Sequence, residues 1–184
     1  MPVLISMLRG VNLGAHNRIK MEALRAMYQS LKLEDPSTYV QSGSVVFRTK
    51  EKNTAKLATK IQDAIQETFH CRPEVILRTT DELRRAIAAT PFNKRQHLEP
   101  GKILITFLAG VPPDPHAALE RLKSYPEELH LIGRELHIYF PNGVGKSKLP
   151  WSSVEKLLKV TGTARNWNSV QAILQIAEEM EAAK

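Results

Sequence analysis

Two apolar runs about one hundred residues apart constrain this chain more than any other feature: VLISMLR (3–9) and KILITFLAG (102–110). Each is short, rich in β-formers and closed by a glycine, which reads as a buried strand. Each opens the same succession of helix, hairpin and helix, although no residue-level repeat accompanies that order.

After the first run, Met21, Leu24, Met27, Tyr28 and Leu31 recur at helical spacing, and Pro36 closes that unit. TYVQSGSVVF then reads as a hairpin turning on Ser42-Gly43, because glycine readily supplies a positive φ. Asn53 or Thr54 caps a helix carrying Leu57, Ile61, Ile65 and Phe69, and EVILR (74–78) follows as a strand. The order βαββαβ is the split-βαβ, ferredoxin-like arrangement. Thr79 and Glu82 have capping-box spacing before a short helix that ends near Pro91.

In the second half, Asp114-Pro115 starts a helix bearing Ala118, Leu119 and Leu122, which Pro126 terminates. LHLIGRELHIYF predicts a hairpin around Gly133-Arg134. Ser152 and Glu155 repeat the capping-box spacing, and Gly162 reads as a helix stop. The last helix spans about Asn168 to Glu181, with Val170, Ile173, Leu174, Ala177 and Met180 inward. The expected class is α+β: two ferredoxin-like-related βαββα subdomains with a C-terminal helix. The expected boundaries are 1–79, a helix and linker at 80–101, and 102–184.

At 184 residues the chain needs no covalent staple, and its single Cys71 forms no internal disulfide and no metal motif. The apolar start, MPVLISMLRG, carries no basic leader and is too short to span a membrane, so a cytoplasmic, membrane-free protein is expected. The net charge of +7 leans toward residues 1–80, which hold 12 basic and 7 acidic groups, around Lys50, Lys52, Lys56 and Lys60. Such a surplus favours anionic partners without identifying one.

The two halves differ in their loops, where function usually sits. The first has GVNLGAHNR (10–18), the second PNGVGKSKLPW (141–151). GVGKS is not a Walker loop: the required first glycine falls on Phe140, and Pro150 prevents a helix from opening directly after the lysine. What survives is a glycine turn with Lys146, Ser147 and Lys148, suited to an anion. Gly10 and Gly14 stand four apart and make no dinucleotide fingerprint. In ARNWNSV, Asn166 or Asn168 caps the last helix. Arg165 beside Trp167 either binds an anion or a stacked base, or forms an internal pair. His130 and His137 oppose each other across the second hairpin, on an expected wet face with too few ligands for a metal. An RNA-binding sheet needs aromatics on its central strands; VLISMLR has none and SVVFRT only Phe47.

Five ordered blocks, LRGVNLG (8–14), KMEALRAM (20–27), YVQSGSVVF (39–47), PNGVGKSKL (141–149) and TARNWNSV (163–170), resemble the bacterial domain-of-unknown-function 1697 family. Ser42-Gly43-Ser44 stands where the family usually has Ser-Gly-Asn, and Gly14-Ala15 where two glycines are common. The resemblance implies an α+β fold of two related subdomains and no particular activity.

The functional expectation is a protein binding an anionic, phosphate-bearing small molecule between loops 9–17, 42–44, 141–148 and 165–168. Arg9, Lys146, Lys148 and Arg165 would supply charge, Asn12, Ser42, Gly43, Ser147 and Asn166 hydrogen bonds and turns, and Trp167 a stacking face. No cofactor and no metal are expected. The alternatives are an enzyme acting on a phosphorylated metabolite or nucleotide, marked by a buried carboxylate or histidine near Lys146, and a nucleic-acid-associated protein drawn by charge.

Overall fold

The structure is a computed structural model that describes residues 1–14, 17–93, 95 and 99–183. Ala15, where the first loop departs from the family pattern, and parts of the 80–101 linker lie outside the described residues. The chain divides into two compact units, Met1–Arg84 with Ala172–Lys184, and Arg85–Gln171.

The first unit runs β1 (Val3–Leu8), α1 (Met21–Ser30), β2 (Glu34–Thr38), β3 (Ser44–Arg48), α2 (Thr54–Phe69) and β4 (Val75–Thr79). Its strands form an antiparallel sheet in the order β2-β3-β1-β4. All six residues of β1 are buried. Leu4, Leu8, Val45, Phe47, Val75 and Leu77 face α1 through Leu24, Met27 and Tyr28, and α2 through Leu57, Ile61 and Ile65. Ser6 is the polar exception in β1; its hydroxyl meets the Tyr28 hydroxyl at 2.7 Å, so neither is buried unpaired.

The second unit repeats the order with β5 (Ile103–Leu108), α4 (Pro115–Leu122), β6 (Glu128–Ile132), β7 (Glu135–Tyr139), α5 (Trp151–Leu158) and β8 (Gly162–Asn166). The sheet order is β6-β7-β5-β8, again antiparallel throughout. The registers correspond: Ile5 lies between Val46 and Arg78, and Ile105 between His137 and Arg165. After β4 comes α3 (Thr80–Ala89), and after β8 comes α6 (Trp167–Ala182). The last residue of each of those strands caps the helix that follows: Thr79 Oγ1 accepts from the Glu82 amide at 3.1 Å, and Asn166 Oδ1 from the Ser169 amide at 2.8 Å. Glu82 returns the bond to the Thr79 amide at 2.9 Å, completing the expected capping box. Asn53 and Asp114 cap α2 and α4 as their positions suggest.

Four local expectations are corrected. Pro36 does not close the first helical unit but lies inside β2, an edge strand where a missing amide is tolerated. The connection to β3 is accordingly longer, residues 39–43, with Val40 at φ 42 and Gly43 at φ 69. A Cβ at Gly43 would stand 2.3 Å from Val11 Cγ2, so the turn needs glycine twice over. Gly162 does not end a helix; it begins β8, a strand that the sequence reading missed. GTARN lacks apolar alternation because it packs by close approach, a Cβ at Gly162 meeting Thr106 Cγ2 at 2.8 Å and Leu108 Cδ2 at 2.9 Å. Ser152 and Glu155 form no capping box: α5 starts at Trp151, and Glu155 Oε1 accepts from the Gly162 amide at 3.1 Å. Finally, His137 is buried rather than wet, as the next subsection describes.

Residues 172–184 complete the first unit. Arg48 donates to the carbonyls of Met180 and Ala183 at the end of α6, where a cation is favoured. Arg84 of α3 bonds Glu178 of α6 at 2.9 Å and also pairs with Asp81.

Gly162→Ala is expected to lower stability by about 1–3 kcal/mol through overpacking against β5. Gly110→Ala, whose Cβ would meet nothing nearer than 3.9 Å, should be close to neutral. Thermal melts of both variants check the pair.

Candidate functional site

The loops singled out in each half are built differently, and each is described within its own unit. In the first unit, β1 ends where Leu8 donates to Gly43 O and Arg9 to Glu74 O. Asn12, at φ 55, uses its whole amide: Oδ1 accepts from the Ile19 amide at 2.8 Å, and Nδ2 donates to the carbonyls of Ile19 and Gln41. Ser42 donates to Tyr39 O at 2.7 Å and accepts from the Ser44 amide at 3.2 Å. Loops 9–14 and 39–43 thus meet, but Asn12, Ser42 and Gly43 serve the backbone. Arg9 alone among the expected ligands of this loop pair is exposed.

In the second unit the two expected loops leave the same end of the sheet. Tyr139 closes β7 opposite Ile103, and Asn166 closes β8 opposite Leu104, so both leave beside the start of β5. That sets them about 10 Å apart, two strand spacings. Arg165 is 8 % exposed, donates to Thr163 Oγ1 and Ala164 O, and burial pushes its guanidinium down to about 10. Trp167 is likewise 8 % exposed and Asn166 is committed to its cap. These three hold the sheet end together; the internal reading of Arg165 and Trp167 is the one the geometry favours.

Loop 141–149 remains. It is anchored in the core by Phe140 and Leu149. Between these anchors a single 3₁₀ turn runs over Val144–Lys146, closed by the Lys146 and Ser147 amides bonding Gly143 O and Val144 O. Ser147 is extended and turns inward, donating to Glu127 Oε1 at 2.6 Å while its oxygen accepts from the Leu149 amide at 3.1 Å. Lys146 and Lys148 on either side are exposed, as is Trp151 three residues on. The turn does not open into a helix, which agrees with the rejection of a Walker loop.

Sequence reasoning missed two residues. Glu127 is 7 % exposed and its Oε2 has no hydrogen-bond partner among the described residues. Nothing in PEELH marks that acid as buried; its place one residue before β6, behind the hairpin, does so only in three dimensions. His137 pairs with His130 as the turn predicts, yet it is 0 % exposed, and both ring nitrogens are without a partner among the described residues. His130 sits at 2.6 Å from Glu128, edge-on to Phe92, and Arg95 pairs with Glu128. The guanidinium, with help from His130, holds that carboxyl below its usual range. Phe92 thus packs against the hairpin at His130 and Tyr139. No group of three or more metal-ligating side chains gathers among the described residues.

Charge also redistributes. By spatial unit, the second carries 12 basic and 7 acidic residues and the first 14 and 12. Glu178, Glu179 and Glu181 belong to the first, so the excess lies with loop 141–149 rather than with the N-terminal half. No helix among the described residues is long and apolar enough to cross a membrane.

A family described as a protein of unknown function, DUF1697, matches residues 1–137. The chain belongs to the DUF1697 family. The match ends inside β7, so the lysine loop lies past it. The conserved bacterial protein SP0830 from Streptococcus pneumoniae is similar in structure, at a TM-score of 0.73 and 19 % identity over 96 % of this chain and 98 % of that one. That likeness concerns the fold. No curated protein matches.

His137 gives this DUF1697 member a pH signature. Burial, and secondarily His130, lowers its pKa from 6.5 to about 4. Between those values the unfolded chain binds more protons than the folded one. The stability His137 contributes is therefore complete above pH 6.5 and is lost as pH falls toward 4, by about 3 kcal/mol in all. Denaturant midpoints of the full chain should fall over that window, and His137→Leu should flatten the profile.

Proposed function

We propose that the protein binds a phosphate-bearing small anion at loop 141–149 of its second unit. One observation carries the reading: Ser147 is held inward by Glu127 while Lys146 and Lys148 stand exposed on either side of it. Two ammonium groups on a fixed turn attract an anion without being consumed by internal ion pairs of the kind that occupy Arg48, Arg84 and Arg95. The +5 balance of this unit supports the same sign of ligand. Trp151, 37 % exposed at the start of α5, adds an indole able to stack on a base or sugar. A cytoplasmic protein would meet such ligands as free metabolites or nucleotides.

A second reading, an enzyme acting on a phosphorylated metabolite or nucleotide, draws on the same pair. A buried carboxylate accepting a hydroxyl proton is the arrangement of a general base and its nucleophile. Binding remains the first reading because Ser147 turns away from the exposed lysine side. Association with nucleic acid has the charge in its favour and no motif.

Tryptophan fluorescence tests the proposal. In Trp167→Phe protein, where Trp151 is the reporter, inorganic phosphate or AMP should give a saturable change. Lys146→Ala combined with Lys148→Ala should weaken it at least tenfold. A flat titration with phosphate, AMP and a single-stranded oligonucleotide alike, at unchanged melting temperature, would remove the anion site. A response to the oligonucleotide alone, steep in salt, would move the reading to nucleic acid.

A further inference from the structure

A turn like 141–149 does not need a carboxylate to fasten it. Its ends are already fixed by Phe140 and Leu149, 1 % and 6 % exposed. Its middle is closed by two backbone hydrogen bonds, from Lys146 to Gly143 and from Ser147 to Val144. Yet Glu127 is buried behind it with one oxygen on Ser147 and the other without a hydrogen-bond partner among the described residues. Removing a carboxyl group from water while leaving one of its oxygens unpaired is unfavourable, and such a group calls for a reason beyond packing.

The loop in front of it supplies that reason. Ser147 leaves the 3₁₀ turn extended, at φ −66 and ψ 137, with its hydroxyl on Glu127. Its neighbours are Lys146 and Lys148, both exposed. The Ser147 hydroxyl is held at two points, by Glu127 Oε1 and by the Leu149 amide, which fixes the side chain and the direction of the chain leaving it. Without Glu127, the Ser147 hydroxyl keeps only the Leu149 amide, and residues 147 and 148, just past the 3₁₀ turn, lose their side-chain tether.

We propose that Glu127 is the positioning residue of the Lys146/Lys148 anion site, acting through Ser147 to hold both ammonium groups toward the same side. This rests on the reading of loop 141–149 as an anion site. Glu127 touches no ligand; it sets the spacing of the groups that do. Its charge is not what the role requires, since an amide oxygen accepts the same hydroxyl.

The test uses the full chain, inorganic phosphate as the probe, and trypsin as an independent reporter of the loop. Glu127→Ala and Ser147→Ala are expected to weaken phosphate binding about tenfold. They should also speed tryptic cleavage after Lys146 and Lys148 about tenfold, with cleavage at other sites unchanged. Glu127→Gln, which keeps the acceptor, should restore both to wild-type levels. A merely structural role for Glu127 would lower the melting temperature without selective cleavage at these two bonds. Should Glu127→Ala fail to fold, Ser147→Ala carries the same comparison. Phosphate binding that is lost in Lys146→Ala but unchanged in Ser147→Ala and Glu127→Ala, with wild-type cleavage rates, overturns the positioning role and leaves the anion site standing. No phosphate binding by the wild-type chain overturns both.

Discussion

Burial of β1 along its whole length is the constraint from which the first unit follows. A strand bonded on both edges, to β3 and β4, with all six side chains buried, has no room for an unpaired polar group. Ser6 is admitted only because Tyr28 reaches it from α1, and burial in turn holds that phenol above its ordinary pKa. The same demand brings an apolar face of α1 and of α2 onto the sheet, while Arg78, opposite Ile5 in β4, is a buried charged side chain within it.

The two units meet this constraint unequally. In the first, the loops that follow β1 and precede β3 close on themselves, Asn12 spending its entire side chain on backbone groups. In the second, Thr106 occupies the position of Ser6 with no tyrosine to meet it, and its hydroxyl is unpartnered among the described residues, as are Glu127 Oε2 and the His137 nitrogens. The first unit has an unpartnered buried hydroxyl of its own among the described residues, Thr80 Oγ1, and carries the positive-φ residues Asn12, Asn17, Lys32, Asp35, Val40 and His70.

Much of this was legible in the sequence because it is written locally. Helical spacing gave α1 and α2, capping residues gave the starts of α2, α3 and α4, and Gly133-Arg134 gave the register that opposes His130 to His137. What escaped is written non-locally. β8 is a strand because Gly162 admits a close neighbour, which no alternation of GTARN announces. Pro36 is tolerated because β2 is an edge, a fact of sheet order. Glu127 and His137 look like surface residues, and only their places in the fold bury them, at 7 % and 0 % exposure. Arg165 and Trp167 are buried at the end of β8, where the sequence suggested a loop.

The chain's last residues belong with its first. Residues 172–184 join the unit formed by residues 1–84, with Arg48 gripping carbonyls at the end of α6. During synthesis, therefore, the N-terminal sheet emerges first and is finished last. At ordinary elongation rates the intervening residues 85–171 take roughly 4 to 18 s to appear. Throughout that interval Arg48 has no carbonyls to hold. The second unit, by contrast, is continuous in sequence and has all its parts once residue 171 has left the ribosome. The unit begun first is thus completed by residues 172–184, which are made only after the whole of the second unit.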